Sequence, residues 1–281
     1  KAVNQVIKKS GENVDFVGFH GQTIFHNAKV KITKQLGDGK LLSKLTKKNV
    51  IYDFRKKDLK NGGEGAPLTP IFHKLLQKKF KIKQVSFFNI GGIVNKTTIL
   101  DDGSLVASDL GPGMCLIDKW IRSKSKKRYD LNGSIAKLGK VNKTVLDKYW
   151  SIFKPTNREQ ASYDISDFDV SFSENLSLED GAATLTHYTA KYFISYFKNK
   201  KKLKKSIKEK MILCGGGRKN KFLVNLIKSN YKNVKLIDAY GIDGDFVESQ
   251  AFAYLAIRSH LKLPISFPET TGCNKPCTGG V

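Results

Sequence analysis

The sequence predicts an α/β protein of two lobes. Strand-like and helix-like segments alternate along both halves of the 281 residues, which is typical of helices packed on a largely parallel sheet. Glycine-rich turns also fall just after four of the predicted strands. With 40% hydrophobic residues a chain of this length can bury two moderate cores. We therefore predict an N-terminal lobe at residues 1–115 and a C-terminal lobe at residues 116–281.

The N-terminal half begins with a predicted helix at residues 2–9, where Val3, Val6 and Ile7 recur at helical spacing. Residues 14–19 are predicted to be a short strand rich in β-branched and aromatic side chains. The further strands predicted in this half are residues 49–53 and 85–90, followed by a hairpin of residues 96–100 and 105–108 around a turn of two aspartates and a glycine.

The C-terminal half alternates in the same way. Its predicted helices are residues 116–123, 134–140, 141–149, 177–197, 221–229 and 245–260. Its predicted strands are residues 210–214 and 234–238. Because neither half shows an internal repeat or a low-complexity linker, the alternation itself is what predicts the architecture.

The net charge of +25 raises the question of a polyanionic partner. Only six of the 50 basic residues are arginine, the residue that best contacts phosphates and base edges in a bidentate manner. The one dense basic block, residues 198–210, lies between a predicted helix and a predicted strand, and we interpret it as a solvated helix end and loop. We predict no nucleic-acid partner, with a polyanion site on the lysine-rich surface as the alternative.

Nothing in the sequence predicts export, a membrane partner or a metal site. No apolar run approaches the roughly 18 residues of a spanning helix, and residues 1–4 lack the order of a signal peptide, so a cytoplasmic protein is expected. Four cysteines are too few for a disulfide scaffold. Cys273 and Cys277 lie four residues apart, but a zinc site would need two more ligands, and His260 has no partner at ligand spacing.

Four glycine-rich turns at strand ends best predict a ligand site. They are residues 89–92, 109–113, 214–217 and 241–245. Glycine lets backbone N–H groups approach a phosphate or an adenine where a side chain would block them. A turn alone explains any single one, whereas four on one chain favour a nucleotide. None has the lysine and hydroxyl residue of the P-loop or the spacing of the dinucleotide fingerprint, so those folds are disfavoured.

Polar residues beside these turns could take part in catalysis or ligand binding. Asp109 stands at a strand end before a Gly-Pro-Gly turn, where it could accept a proton, order magnesium-bound water or simply cap the turn. The stretch 20–23 and the loop 53–67 suit a ligand with hydroxyl and carboxylate groups. Arg55 could hold a carboxylate in a bidentate pair, although a lone arginine is more often part of a surface ion pair.

Together these motifs resemble the anhydro-N-acetylmuramic acid kinases, a branch of the sugar kinase, Hsp70 and actin superfamily. The resemblance runs from about residue 14 to residue 280 and keeps the order of the motifs. The motifs are His20-Gly21-Gln22-Thr23, Asp53-Phe54-Arg55, Gly65-Ala66-Pro67-Leu68, Asn89-Ile90-Gly91-Gly92-Ile93 with Asn95, Asp109 with its Gly-Pro-Gly, Pro155-Thr156 to Arg158-Glu159, Ala183-Thr184-Leu185-Thr186, Cys214-Gly215-Gly216-Gly217 with Asn220, Asp245 to Glu248, Ala251-Phe252-Ala253 and Thr271-Gly272. The resemblance implies a two-lobed actin-like ATPase fold, which is ribonuclease H-like.

The resemblance also implies an ATP-dependent kinase that opens 1,6-anhydro-N-acetylmuramic acid and phosphorylates O6, giving N-acetylmuramic acid 6-phosphate in peptidoglycan recycling. Asp109, at the family's general-base position, would activate the water that attacks the anomeric carbon. His20, Gln22, Arg55 and Glu248 would hold the sugar. The residues implied to bind ATP are Asn89, Gly91, Gly92, Gly111, Gly113, Gly215, Gly216, Gly217 and Asn220. Mg²⁺ would bridge the phosphates, and a homodimer is implied.

Three side chains and the N-terminus depart from the family pattern. Leu110 stands where relatives have threonine, Met114 where they have asparagine, and Glu64 where they have glutamine. The family's N-terminal Gly-Thr-Ser-x-Asp-Gly phosphate loop has no counterpart in this sequence, so we expect that the first strands of the N-terminal lobe are missing and that the chain has low activity. A catalytically inactive nucleotide- or sugar-binding fragment is the alternative, and a nucleic-acid-binding module is a third hypothesis.

Overall fold

The computed structural model describes residues 1–152, 163–202 and 209–281. These residues divide into two compact units: unit 1 is Lys1–Leu76 with Phe246–Val281, and unit 2 is Gln77–Asp245. These units do not coincide with the predicted lobes. Residues 85–89, from the predicted N-terminal lobe, pair directly with residues 210–214, from the predicted C-terminal lobe. The lobe boundary near residue 115 stays a prediction. No helix within the described ranges is long and apolar enough to cross a membrane.

Strands and α-helices follow one another along the described residues. The strands are β1 (Phe16–Gly18), β2 (Gln22–Asn27), β3 (Ile32–Leu36), β4 (Asn49–Ile51), β5 (Val85–Ile90), β6 (Ile93–Ile99), β7 (Leu105–Pro112), β8 (Lys210–Cys214) and β9 (Val234–Leu236). The α-helices are α1 (Ala2–Ser10), α2 (Gly39–Thr46), α3 (Lys56–Lys60), α4 (Pro70–Lys79), α5 (Cys115–Lys124), α6 (Lys143–Ile152), α7 (Leu178–Lys202), α8 (Lys221–Asn230), α9 (Val247–His260) and α10 (Pro268–Thr271).

Every strand predicted from the sequence is present, and so is every predicted helix but one. Residues 134–140 do not form an α-helix, and only Ala136–Leu138 make a short 3-10 turn. The reason is Asp130, whose buried carboxylate accepts the backbone N–H groups of Ile135 at 2.8 Å and Ala136 at 2.9 Å and so holds this segment in a turn. The prediction of a helix there is wrong.

Unit 1 contains two small sheets. Strands β1 and β4 pair in parallel, and β2 and β3 form an antiparallel hairpin. Helix α9 packs across β1 so closely that a side chain at Gly18 would collide with the carbonyl of Phe252. The Phe252 ring also packs against Phe54, with centroids 5.4 Å apart. This packing holds the loops after β1 and β4 beside the first turns of α9.

Unit 2 is built on a five-stranded sheet in the order β7-β6-β5-β8-β9. Only β6 runs antiparallel to the other four strands. Counted along the chain this order is 3-2-1-4-5, the topology of the ribonuclease H-like fold, so the predicted fold class is confirmed. Strand β5 is almost wholly buried on both faces, as expected of a central strand covered by helices.

The carboxyl ends of β5, β7 and β8 share one edge of this sheet, because these three strands run in the same direction. Three of the predicted glycine turns, 89–92, 109–113 and 214–217, lie at that edge. In open α/β sheets the crevice beyond the carboxyl ends of the strands is where ligands bind. This edge of unit 2 is therefore the first place to look for a ligand site.

Candidate active site

A row of polar side chains crosses the sheet of unit 2 near its carboxyl edge. Asn95 on β6 lies directly opposite Asn89 on β5 and opposite Asp109 on β7. Residues directly opposite each other on neighbouring strands share a face of the sheet. The three side chains therefore form one row, beside the glycine turns, in a sheet that is otherwise largely apolar.

The carboxylate of Asp109 is held by two hydrogen bonds. The Asn95 side-chain amide donates to one carboxylate oxygen, and the backbone N–H of Tyr163 donates to the other at 2.9 Å. Both carboxylate oxygens accept a hydrogen bond, so these bonds fix the direction of the carboxylate. Asp109 does not cap α5, whose N-cap residue is Met114 without a side-chain bond. Whether Asp109 caps its own turn stays a prediction.

The turns at residues 91–92 and 111–113 pack backbone against backbone. The N–H of Gly113 donates to the carbonyl of Gly92 at 2.8 Å, and the N–H of Met114 donates to the carbonyl of Gly91 at 2.8 Å. A side chain at Gly113 would collide with that Gly91 carbonyl. These two amides are therefore engaged with protein carbonyls, and close packing accounts for glycine at positions 111 and 113. A contact with ATP at this pair of turns stays a prediction.

The loop after β8 is the most open of the glycine turns at this edge. Gly215 has a φ of 77°, and a side chain on it would collide with the amide of Asn89. A side chain on Gly217 would collide with Ile90, so this residue is packed against the sheet. Gly216, in contrast, is exposed and has open space where a Cβ atom would lie. The loop thus presents bare backbone at one position.

Arg218 fixes this loop from behind. Its side chain is only 4% exposed, and its Nη1 donates to the carbonyl of Gly215 at 3.0 Å and to Asp245 at 2.9 Å. Its Nε donates to Asp238 at 2.9 Å, and this hydrogen bond is the main cause that raises the pKa of Arg218. The fourth glycine turn wraps the guanidinium, since a side chain on Gly244 would collide with it. That turn supports Arg218.

Asn220 is the N-cap of α8. Its Oδ1 accepts the backbone N–H of Leu223 at 3.0 Å, an arrangement that stabilises the first turn of a helix. Its Nδ2 is buried and has no hydrogen-bond partner among the described residues. Because the side chain is 3% exposed, its structural role is clear, and the implied contact with ATP stays a prediction.

In unit 1, His20 and Arg55 form one hydrogen-bonded group. The Arg55 Nε donates to His20 Nε2 at 2.9 Å, and Arg55 Nη1 donates to the carbonyl of Gly65 at 2.9 Å. Arginine can only donate, so His20 Nε2 accepts, and the ring proton resides on Nδ1, which lies 2.7 Å from the carbonyl of Gly21. Burial, followed by the charge of Arg55, lowers the pKa of His20 to about 4. Neutral His20 thus orients Arg55.

Glu248 lies near this group, on α9. Burial lowers the pKa of Arg55, and the charge of Glu248 opposes that effect. Phe252, one helical turn further along α9, contacts the His20 ring with centroids 4.3 Å apart. Three of the four predicted sugar-binding residues are therefore brought together. The fourth, Gln22, is exposed at the start of β2.

The glycine-rich loop 62–65 is pinned on three sides. The N–H of Gly65 donates to the buried carboxylate of Asp58 at 2.6 Å, and the N–H of Glu64 donates to the carbonyl of Thr271 at 2.7 Å. The carbonyl of Glu64 lies 2.9 Å from His26 Nε2, which carries the proton for that bond. The loop therefore presents the Gly65 carbonyl to Arg55 in a fixed position.

Comparison with known proteins decides the family. The model of the anhydro-N-acetylmuramic acid kinase family matches residues 1–281. The chain belongs to this family. It is 50% identical over 290 residues to the anhydro-N-acetylmuramic acid kinase of Pelagibacter ubique (strain HTCC1062), a match that covers 100% of the chain and 77% of that relative. The enzymes of that name from Brucella canis and Zymomonas mobilis are 38% and 39% identical, each over 100% of the chain and 77% of the relative.

Membership of the anhydro-N-acetylmuramic acid kinase family makes the protein a kinase, with ATP as a substrate. Two of the departures from the family pattern are explained by packing. Leu110 is 8% exposed in the core of unit 2, and it is the extra residue of a β-bulge between the pairs Val94–Gly111 and Asn95–Asp109. Met114 packs partly against the same core.

The third departure is Glu64. Its side chain is exposed, and its backbone N–H makes one of the hydrogen bonds that hold the loop 62–65. Burial, followed by the charge of Asp58, raises the pKa of its carboxyl group. The family motif at residues 155–159 lies outside the described residues.

Two residues that orient the candidate site had no predicted role. Asn95 was visible as a polar residue in a strand motif, but only the strand register shows that it faces Asp109. Arg218 directly follows the glycine loop in the sequence. Its position there does not indicate that three aspartates surround its side chain, namely Asp238, Asp243 and Asp245.

We expect acid to destabilise unit 1 through its histidines. Burial lowers the pKa of His20 to about 4, whereas an unfolded histidine titrates near ~6.5. Between these values only the unfolded state binds the proton, so stability present above pH ~6.5 is lost as pH falls toward about 4. Chemical unfolding at several pH values measures this. His20→Gln should reduce the dependence of the unfolding free energy on pH, and His260→Gln, an exposed control, should not. The same pH dependence in the wild type and both variants would contradict the lowered pKa of His20.

Proposed function

We propose that the protein uses ATP to phosphorylate O6 of 1,6-anhydro-N-acetylmuramic acid while a water molecule opens the anhydro bridge. The product is N-acetylmuramic acid 6-phosphate, an intermediate of peptidoglycan recycling in the cytoplasm. The observation that carries the proposal is the oriented carboxylate of Asp109 at the carboxyl edge of a ribonuclease H-like sheet, beside three glycine turns. The family membership supplies the substrate class.

Asp109 acts as the general base in this proposal. Asn95 and the N–H of Tyr163 orient its two oxygens, and a carboxylate held at the sheet edge in this way can accept a proton from water. The water oxygen forms a bond to the anomeric carbon, the bond from that carbon to the bridging oxygen breaks, and the freed O6 attacks the γ-phosphorus. The proton resides on Asp109, and ADP leaves.

ATP is proposed to lie against the open backbone at Gly216. Gly215 and Gly217 shape the loop, and Arg218 holds it in place. Mg²⁺ prefers oxygen ligands and usually keeps several waters beside substrate phosphates, a chemistry that the Asp109 carboxylate fits through a bridging water. When bound, the ion neutralises charge on the phosphates.

The sugar is proposed to bind in unit 1. Arg55 uses two of its five N–H groups for His20 and Gly65, and the remaining donors suit the carboxylate of the sugar's lactyl group. Glu248 and Gln22 are exposed and would accept from or donate to its hydroxyl and acetamido groups.

The proposed assembly is a homodimer without a nucleic-acid partner. Light scattering, which measures the mass of the assembly in solution, tests whether the protein is a dimer. DNA binding with a steep salt dependence would contradict the absence of a nucleic-acid partner, since phosphate contacts release counterions.

Product analysis tests the proposed reaction. The protein is incubated with ATP, Mg²⁺ and the anhydro sugar in isotopically labelled water. We expect sugar-dependent release of ADP and a product with phosphate on O6 and one labelled oxygen on the anomeric carbon. Binding of both ligands without turnover would identify an inactive binding protein, and turnover without the label would contradict the role of water.

Substitutions at two neighbouring glycines should distinguish an effect on ATP binding from an effect on folding. Gly216→Ala adds a methyl group in open space, so we expect a change in the free energy of unfolding within about 0.5 kcal/mol and a KM for ATP raised roughly fivefold or more. Gly217→Ala drives a methyl group into Ile90 and should destabilise the fold by about 1–3 kcal/mol. Thermal unfolding and steady-state kinetics measure both. An unchanged KM in Gly216→Ala would place ATP elsewhere.

A further inference from the structure

Three potential metal ligands converge in the interior of unit 1. A carboxylate oxygen of Asp58 and the Sγ atoms of Cys273 and Cys277 all lie within 4.8 Å of one another. The three residues are 1%, 1% and 8% exposed. This cluster involves none of the residues to which the proposed kinase reaction assigns a role.

The chain brings the two cysteines together by a closed loop. Helix α10 ends at Thr271, and the following residue, Gly272, has a left-handed φ of 72° that turns the chain directly into Cys273. Cys277 then returns to pair with Ser266 through backbone bonds of 3.1 and 3.3 Å. Both thiols are therefore fixed by backbone geometry against Asp58 on α3.

The buried carboxylate of Asp58 is held by neutral groups. It accepts from the Gly65 N–H at 2.6 Å and from the Thr271 hydroxyl at 2.7 Å, and the Cys277 Sγ lies 3.9 Å away. Within the described ranges it has no lysine, arginine or histidine nitrogen within 4.0 Å, the distance of an ion pair. A buried charge is costly unless it is paired or coordinates a metal. The charge of Arg55 acts on Asp58 from beyond that distance, and the groups that contact the carboxylate directly are neutral, so a positive ion can still bind against it.

The donor set selects the kind of ion. Two sulfurs and one carboxylate oxygen are the ligands of Zn²⁺ and other thiophilic cations, whereas Mg²⁺ and Ca²⁺ prefer oxygen alone. In a tetrahedral zinc site with bonds of about 2.3 Å the two sulfurs stand ~3.8 Å apart, so the cluster needs only a modest contraction. The Ser266 hydroxyl, 3.0 Å from Cys277 Sγ, or a water can complete the coordination.

We propose that Asp58, Cys273 and Cys277 form a structural binding site for a thiophilic divalent cation of the Zn²⁺ class. Each sulfur exchanges its proton for a bond to the metal, so that binding of one ion releases two protons to solvent. The ion ties α3 to the segment after α10. Because Asp58 also holds the Gly65 N–H, the site stabilises the loop that Arg55 contacts.

Metal titration of the reduced protein tests this site. Protein without a histidine tag is reduced, treated with a chelator and kept free of oxygen, and Co²⁺ is added as a spectroscopic probe. We expect one equivalent to bind with thiolate-to-cobalt charge-transfer absorption, and Zn²⁺ to displace it. Zn²⁺ should also raise the Tm of the wild-type protein. The absence of charge-transfer absorption at saturating Co²⁺ would overturn the proposal.

Matched cysteine variants locate the ion. Cys273→Ser and Cys277→Ser should each weaken Co²⁺ and Zn²⁺ binding by about tenfold or more and abolish the Tm increase. Cys115→Ser and Cys214→Ser remove buried thiols of unit 2 and should leave binding unchanged. Wild-type affinity in both Cys273→Ser and Cys277→Ser, or equal losses in all four variants, would overturn the assignment. Circular dichroism confirms that each variant is folded, and none of these readouts depends on kinase activity.

Discussion

Replacing Asp109 by asparagine should lower kcat by about 100-fold or more, while ATP still binds. Asparagine cannot accept a proton from water, and its amide group would place an N–H donor against the donors from Asn95 or Tyr163. The loss belongs to the chemical step, so the KM for ATP should change little. Steady-state kinetics with both substrates saturating, together with calorimetric ATP binding, measures the two effects.

Asp101→Asn is the matched control for this experiment. Asp101 is exposed in the turn between β6 and β7, at the opposite end of the same hairpin, so the same chemical change there should leave kcat unaltered. A fall of less than tenfold in Asp109→Asn would make Asp109 a structural residue. Loss of ATP binding or of the folded state in Asp109→Asn would show that the substitution disturbs the sheet edge.

Removing the guanidinium of Arg55 should raise the KM for the anhydro sugar by about 10–100-fold, with a smaller effect on the KM for ATP. Hydrogen bonds to charged groups contribute about 1.5–3 kcal/mol, which corresponds to this range. Arg55→Ala also leaves His20 Nε2 and the Gly65 carbonyl without their donor. Kinetics at varied sugar and varied ATP concentrations measure the difference.

Arg55→Lys and Arg128→Ala are the controls for Arg55. Lysine keeps the charge but cannot bond His20 and Gly65 with one planar group, so an intermediate KM for the sugar is expected. Arg128 is exposed in unit 2, and its substitution should change neither KM. Equal increases in both KM values for Arg55→Ala would indicate a folding defect, and no increase would remove Arg55 from the sugar site.

The order of elements in unit 2 could be predicted because its strands carry strong local signals. The apolar run of β5 and the apolar run of β8 are each followed directly by glycine, and β8 has the predicted bounds of 210–214. The hairpin β2–β3 was not predicted, since nearly all of its residues are exposed or partly exposed and show no clear alternation. Residues 134–140 were predicted as a helix because the competing bonds to Asp130 are not visible locally.

The motifs of the candidate site were visible in the sequence, but several of their functions were not. Glycine at positions 111, 113 and 217 indicated a nucleotide site, and each of these residues in fact packs closely against backbone or a core side chain. His20 was predicted to contact the sugar, and its Nε2 accepts a hydrogen bond from Arg55. The contact of His20 with the sugar stays a prediction.

By itself the sequence determined the α/β class, the strands of the central sheet, the family resemblance and the candidate residues, because each rests on local periodicity or on motifs contiguous in the chain. Tertiary structure alone decided that Asn95 holds Asp109, that Arg218 supports the glycine loop, and that Asp58 meets Cys273 and Cys277. The reason is physical. Strand register and the packing of distant segments set these contacts, and neither leaves a periodic signal in the residues that make them.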